Sequence, residues 1–132
     1  MNLVQILDAT KIAPLRGLIC DAVHLIACRC PTNERTMPET RRASEEYQAK
    51  LTALIESGKY DNDDDFTVVI QPFFVNAQLP RDRNGNPDKS YFAPDCFHFS
   101  EKGHRDAAVA LWNNMVEPVG SKQHPNLSLI HI

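Results

Sequence analysis

The chain has 132 residues, a length typical of one domain. Seventeen acidic side chains outnumber fourteen lysines and arginines, and the net charge of −3 argues against a nucleic-acid-binding protein, which needs a basic surface for phosphates. The apolar content of 42% is that of an ordinary globular protein, and neither a membrane-spanning stretch nor a signal peptide is recognised.

The first half of the chain is predicted to contain one strand and two helices. Residues 2–7 predict a short buried strand. The apolar residues in 11–26 have no clean periodicity, but this segment can hold a helix. Thr36 and Glu39 have the spacing of a capping box, and the amphipathic helix that follows them should end at Gly58, where a left-handed residue is favoured. The apolar residues of that helix recur at helical intervals: Ala43, Tyr47, Leu51, Leu54 and Ile55.

The second half is predicted to contain a strand, a long loop and a helix. The apolar run 66–75 is typical of a central strand covered on both faces in a parallel sheet, and Pro72 should end it near Gln71. Residues 76–94 form a loop of a length that is usually functional or disordered. Ser100 should cap the last helix, whose apolar stripe comprises Ala107, Ala108, Leu111, Trp112 and Met115. Two strands make no stable sheet alone, so this strand needs further neighbours.

The four cysteines allow two interpretations. In the first they form disulfides, and Cys20 is expected to pair with Cys28 or Cys30, because those two are too close for an unstrained bridge to each other. In the second, Cys20, His24, Cys28 and Cys30 bind zinc. The spacing favours disulfides, because the chain has no Cys-x-x-Cys pair. The disulfide pairing of the four cysteines, including Cys96, is left open.

The residues best suited to chemistry lie in the segment 94–100, where Asp95 precedes His98 by three residues. A carboxylate at this spacing can accept the Nδ1 proton of the imidazole, which leaves Nε2 as a general base. On spacing alone a structural role is favoured, with Asp95 capping a turn and His98 packed beside Phe97 and Phe99. The position after a parallel strand favours a site, because α/β folds hold their sites at strand C-termini.

Three segments resemble, in order, the C-terminal part of a phospholipase B repeat of the GDSL, or SGNH, lipase family. They are DFTVVIQPFF at 65–74, FAPDCFHFSEKGH at 92–104 and ALWNNMVEPVG at 110–120. The sequence matches the family in the same order from residue 65 to 122. The residues before 65 resemble the family only in outline. The resemblance implies an α/β fold: a three-layer α/β/α sandwich with a parallel sheet, of which residues 1–122 are the C-terminal portion. It also implies hydrolysis of acyl esters of phospholipids and lysophospholipids.

By the same resemblance, His98 is the general base that activates a nucleophilic serine, and Asp95 holds its tautomer. His104 matches no catalytic position, and nothing around Cys96 marks it as a nucleophile. The family's Gly-Asp-Ser-Leu motif and the oxyanion-hole Gly and Asn are not found in the chain. The chain is therefore expected to be an inactive fragment by itself. The alternative is a non-catalytic, truncated binding or regulatory module that pairs through an open sheet edge.

The resemblance implies no cofactor and no metal. The expected partner is a phospholipid, a lysophospholipid or another lipid ester, bound by a full-length parent that associates with the membrane through other segments. The parent is expected at the extracellular, apical face of the plasma membrane, or secreted. The repeat of origin, the acyl position and the headgroup are left open. Residues 123–132, with a glycosylation sequon at Asn126, are expected to be a tail. Its closing residues 129–132 do not resemble the family's continuation and are expected to be an alternative end or foreign sequence.

Overall fold

A computed structural model describes residues 1–122, in which short parallel strands alternate with helices. The predicted tail and its sequon lie outside the described residues. The strands are β1 (Asn2–Val4) and β2 (Val69–Gln71). The helices are α1 (Leu18–Ile26), α2 (Arg29–Thr32), α3 (Met37–Glu56) and α4 (Glu101–Val116), with 3₁₀ turns at Ala9–Ile12 and Lys89–Tyr91.

The two strands pair in parallel, as predicted for an α/β fold. Leu3 lies opposite Ile70 in the register, and the amide of Gln5 extends the ladder by donating to the carbonyl of Gln71 at 3.1 Å. Strand β2 ends at Gln71 because Pro72 has no N–H for the ladder, which confirms the predicted end. Within residues 1–122 the sheet has only these two strands, so the outer edge of β1 is open.

The long helix α3 confirms a helix that ends before Gly58, but its predicted apolar face and its predicted capping box are wrong. Ser44 is its buried residue, whereas Tyr47 is 68% and Leu54 38% exposed. Gly58 follows the helix with a φ of 69°, the left-handed conformation expected there. Thr36 accepts no cap hydrogen bond, and its hydroxyl donates to the carbonyl of Cys30 at 2.9 Å. The reason is that consecutive turns join α2 to α3, so the backbone of Thr36 is already helical.

Helix α4 begins where predicted, but it buries a different face. The hydroxyl of Ser100 accepts from the amide of Gly103 at 3.2 Å and caps the helix. The buried residues are Gly103, Asp106, Ala107, Ala110 and Asn114, whereas Trp112 is 65% exposed. The prediction placed Trp112 and Met115 in the core. Helix α4 instead packs closely on β2 and on the turn before it in sequence, and this short distance selects small side chains.

Two apolar clusters form the core. One holds Phe73 and Ala77 against Ala107 and Ala110 of α4. The other lies between α1 and the segment that carries the candidate catalytic residues, and it comprises Ile12, Leu15, Cys20, Phe92 and Cys96. The second cluster therefore fixes the position of that segment relative to α1.

Candidate active site

Asp95 and His98 lie in direct contact on a tight turn before α4. Oδ2 of Asp95 lies 2.6 Å from Nδ1 of His98, while Oδ1 accepts from the backbone amides of Phe97 and His98, both at 3.0 Å. A carboxylate can only accept, so Nδ1 carries the hydrogen and Nε2 of the neutral ring does not. Asp95 thus caps the turn through one carboxylate oxygen and contacts the imidazole through the other.

The imidazole of His98 is open to solvent rather than packed. Its side chain is 72% exposed, against 37% for Asp95, and the ring meets Phe97 edge-on with the centroids 5.0 Å apart. The pKa of Asp95 is lowered, first by the hydrogen bond from His98 and then by the amide of Phe97. The carboxylate therefore stays charged while the ring keeps one nitrogen available to an incoming group.

Backbone hydrogen bonds close the segment into a rigid loop. The amide of Ala93 donates to the carbonyl of His98 at 2.8 Å, and the amide of Ser100 donates to the carbonyl of Tyr91 at 3.0 Å. Cys96 has a φ of 56° at the apex, a left-handed conformation that is unfavourable for a residue with a side chain. This conformation turns the chain so that Asp95 and His98 face each other.

Helix α1 holds the apex of this loop through two contacts with Cys96. Cys20 forms a disulfide with Cys96, with the Cα atoms 5.2 Å apart, and Nε2 of the buried His24 donates to the carbonyl of Cys96 at 3.1 Å. The bridge spans 76 residues, and closing such a loop in the unfolded chain stabilises the fold by roughly 4 to 5 kcal/mol in the chain-entropy treatment.

The expected pairing of Cys20 with Cys28 or Cys30 is therefore wrong. Cys20 points to the core side of α1, where Cys96 lies, while Cys28 is a buried thiol and Cys30 an exposed one. Burial raises the pKa of the Cys28 thiol, and the nearby charge of Asp95 adds to this effect. The zinc interpretation does not fit either, because Cys20 and His24 are engaged with the loop. Residues 1–122 hold no cluster of three potential metal ligands.

The sequence analysis did not predict that α1 holds the loop that carries Asp95 and His98. Cys20 and His24 stand four residues apart, a spacing that puts both on one helix face, but the sequence analysis grouped them only in the less favoured zinc interpretation. Their partner lies more than seventy residues away, where no local pattern could indicate it.

Four of the five serines of the described residues have hydroxyls that are hydrogen bonded elsewhere. The hydroxyls of Ser44 and Ser57 donate to carbonyls of α3, at Thr40 and Leu54. Ser90 donates to Asp88, and Ser100 donates to the carbonyl of Ser90. Within residues 1–122 no serine is hydrogen bonded to His98. The arrangement can accept and return a proton, but it does not contain its own nucleophile.

Comparison with known proteins shows which family model and which relatives the chain matches. The family model GDSL-like Lipase/Acylhydrolase matches residues 3–111. The protein named "Phospholipase B1, membrane-associated" from Homo sapiens is 45% identical over 130 residues, which cover 92% of this chain and 9% of that protein. The proteins of the same name from Mus musculus and Rattus norvegicus are 41% and 43% identical, over 96% and 98% of this chain and 9% and 10% of theirs.

The chain thus spans about a tenth of the length of these relatives. No solved structure matches it. No helix in the described part of the chain has both the length and the apolar character that a membrane span requires.

Proposed function

Because this chain belongs to the GDSL-like lipase/acylhydrolase family, we propose that Asp95 and His98 form the acid–base part of a lipid ester hydrolase active site. The observation that carries the proposal is the 2.6 Å contact between Oδ2 of Asp95 and Nδ1 of a largely exposed His98. A buried ring could not reach a substrate, and a ring without the carboxylate would not keep its proton on Nδ1.

The proposed reaction uses His98 as a proton carrier. Nε2 takes the proton of a serine hydroxyl while the serine oxygen attacks the acyl carbon, and the imidazolium then protonates the leaving alkoxide. A water molecule, activated by the same nitrogen, releases the fatty acid from the acyl-serine. Asp95 holds the ring tautomer and stabilises the imidazolium throughout. The serine and the oxyanion-hole donors are contributed by polypeptide other than residues 1–122, so the chain alone is inactive.

In this proposal residues 1–122 are the C-terminal portion of an SGNH lipase domain, and further strands of its sheet add to the open edge of β1. The proposed substrates are phospholipids, lysophospholipids and related lipid esters. The three relatives are named membrane-associated, and the proposed parent acts at the extracellular face of the plasma membrane or as a secreted enzyme. Its anchoring to the membrane is proposed to depend on segments other than those described.

The proposal is tested by replacing the matching segment of the Mus musculus relative with residues 1–122 of this chain. The chimera should hydrolyse lysophosphatidylcholine. His98→Ala in the chimera should lower the rate from this domain by at least about a thousandfold, because the serine loses its base. The His98→Ala chimera also measures any activity contributed by other parts of the relative.

The matched control is His104→Ala. His104 is also exposed and lies six residues further along, with its ring edge-on to Phe99 at a centroid distance of 5.7 Å. Its replacement should leave the rate unchanged. Equal rates for the His98→Ala chimera and its parent, or equal losses at both histidines, would contradict the proposed roles.

The open edge of β1 favours one further candidate, a non-catalytic module that pairs with a partner strand. Unpaired N–H and C=O groups at such an edge are a template for another chain. This function requires the chain alone to self-associate or to bind a partner through residues 2–4. Monodisperse monomers in light scattering, whose size does not change upon Leu3→Pro substitution, would count against it.

A further inference from the structure

Most apolar side chains of helix α1 are exposed, and so is its Asp21. Its buried residues are Cys20 and His24, both in contact with the active-site loop. The opposite face carries four large apolar side chains with exposures from 63% to 91%: Leu18, Ile19, Leu25 and Ile26. Soluble proteins rarely expose a contiguous apolar face of this kind without a binding function. We refer to these four side chains as the α1 face.

The charges at the border of the α1 face are mainly positive. Arg16 precedes the helix and Arg29 follows it, and both line one surface crevice together with Leu25. Asp21 in the same crevice pairs with Arg16 at 3.1 Å, which leaves a net positive charge. An apolar helix face bordered by basic side chains is the pattern of a helix that lies in the surface of a lipid bilayer.

The α1 face is also coupled to the proposed catalytic residues. The disulfide from Cys20 and the hydrogen bond from His24 join the helix to Cys96, between Asp95 and His98. Phe97, next to His98, is itself 38% exposed. The loop lies on the other side of α1 from this face, so a surface that binds the α1 face lies about one helix diameter, about 10 Å, from the apex of the loop.

We propose that the α1 face docks onto the surface of a phospholipid bilayer and thereby holds the loop of Asp95 and His98 near that surface. This proposal rests on the proposed function, since a lipid substrate is what makes a bilayer the expected occupant. The helix lies in the plane of the interface, with its apolar side chains among the upper acyl segments and the arginines near the phosphates. A second copy of the chain would cover the apolar side chains but would not account for the basic border.

The first test measures partitioning of the chain onto sucrose-loaded phosphatidylcholine vesicles, with and without phosphatidylglycerol. Leu18→Gln combined with Ile26→Gln should weaken binding by about tenfold for each side chain replaced, because each loses its apolar burial. Glutamine keeps the helix propensity and adds no charge. Phosphatidylglycerol should strengthen wild-type binding through the arginines.

The matched control replaces two exposed apolar residues on α4. Trp112 is 65% and Val116 is 67% exposed, and Trp112→Gln combined with Val116→Gln should leave partitioning unchanged. Circular dichroism spectra of both double variants verify that they remain folded. Equal losses in the two double variants would indicate unspecific adsorption and would overturn the proposal.

The second test locates the docked surface by fluorescence. Trp112 is the only tryptophan, so the wild-type chain reports on α4, and Leu25→Trp combined with Trp112→Phe reports on α1. Vesicles of brominated phosphatidylcholine should quench the tryptophan at position 25 strongly and Trp112 weakly. Equal quenching at both positions would overturn the proposal, as would vesicle-bound protein with no quenching at position 25.

Sedimentation velocity decides whether a second copy covers the α1 face. A wild-type dimer that the α1 glutamine variant converts to a monomer, with unchanged vesicle binding, would assign the face to self-association and overturn the proposal. Both tests measure binding and not hydrolysis. An inactive chimera would therefore contradict the proposed function alone, whereas an active chimera without α1-dependent binding would contradict the docking proposal alone.

Discussion

Replacing Gly103 with alanine tests the contact that holds the loop of Asp95 and His98 against α4. A Cβ atom at this position would lie well inside van der Waals contact with the carbonyl oxygen of Tyr91, and 3.1 Å from Cβ of Phe99. The Tyr91 oxygen belongs to the backbone and also accepts from the amide of Ser100. The alanine can be accommodated only if the turn at Tyr91 or the start of α4 moves.

The expected change in the free energy of unfolding follows from three contributions. Overpacking costs about 1–3 kcal/mol, and loss of the Ser100–Tyr91 hydrogen bond costs about 1 kcal/mol. The higher helix propensity of alanine offsets up to about 1 kcal/mol of this. Gly103→Ala should therefore destabilise the chain by about 1–3 kcal/mol, although alanine is the better helix former.

Urea unfolding followed by far-ultraviolet circular dichroism measures this difference. The control is Ala108→Gly at an exposed position of the same helix, which should cost about 1 kcal/mol from propensity alone. A Gly103→Ala variant as stable as the wild type, or more stable, would show that helix propensity governs this position and that the contact with Tyr91 is unimportant.

Three further predictions concern the loop and its surroundings. Replacement of His98 by alanine should raise the pKa of Asp95 towards that of a free carboxyl, as measured by ¹³C NMR, because the largest cause of its lowered pKa is removed. Since the pKa of Asp95 is lower in the folded chain, its contribution to stability is complete above the unfolded pKa and disappears as the pH falls through the folded one. Iodoacetamide should modify the exposed Cys30 well before the buried Cys28, whose thiol pKa is raised, and peptide mass mapping distinguishes the two. Ser100→Ala should lower the free energy of unfolding by about 1 kcal/mol in the same urea assay, because α4 loses its cap.

The features that could be predicted from the sequence are those set by neighbours along the chain. The long helix α3 followed from apolar residues at helical intervals, and the end of β2 followed from the missing N–H of Pro72. The spacing of Asp95 and His98 allowed their contact, because three residues are enough to close a turn, but the resemblance to a family was needed to favour it over a structural role. Each of these depends on a few consecutive residues, so the physical cause is visible in the sequence.

Tertiary structure alone decided which distant surfaces meet. The partner of Cys20 is Cys96, 76 residues away, and neither the helical period of α1 nor the cysteine spacing indicates it. The periodicity of apolar residues also predicted the wrong buried face of α4. The helix approaches the backbone of Tyr91 so closely that the small Gly103 is required there, and Trp112 is left in solvent. Local patterns record which side chains are apolar, whereas burial depends on the distance between packed elements, and that distance is set only when the whole chain has folded.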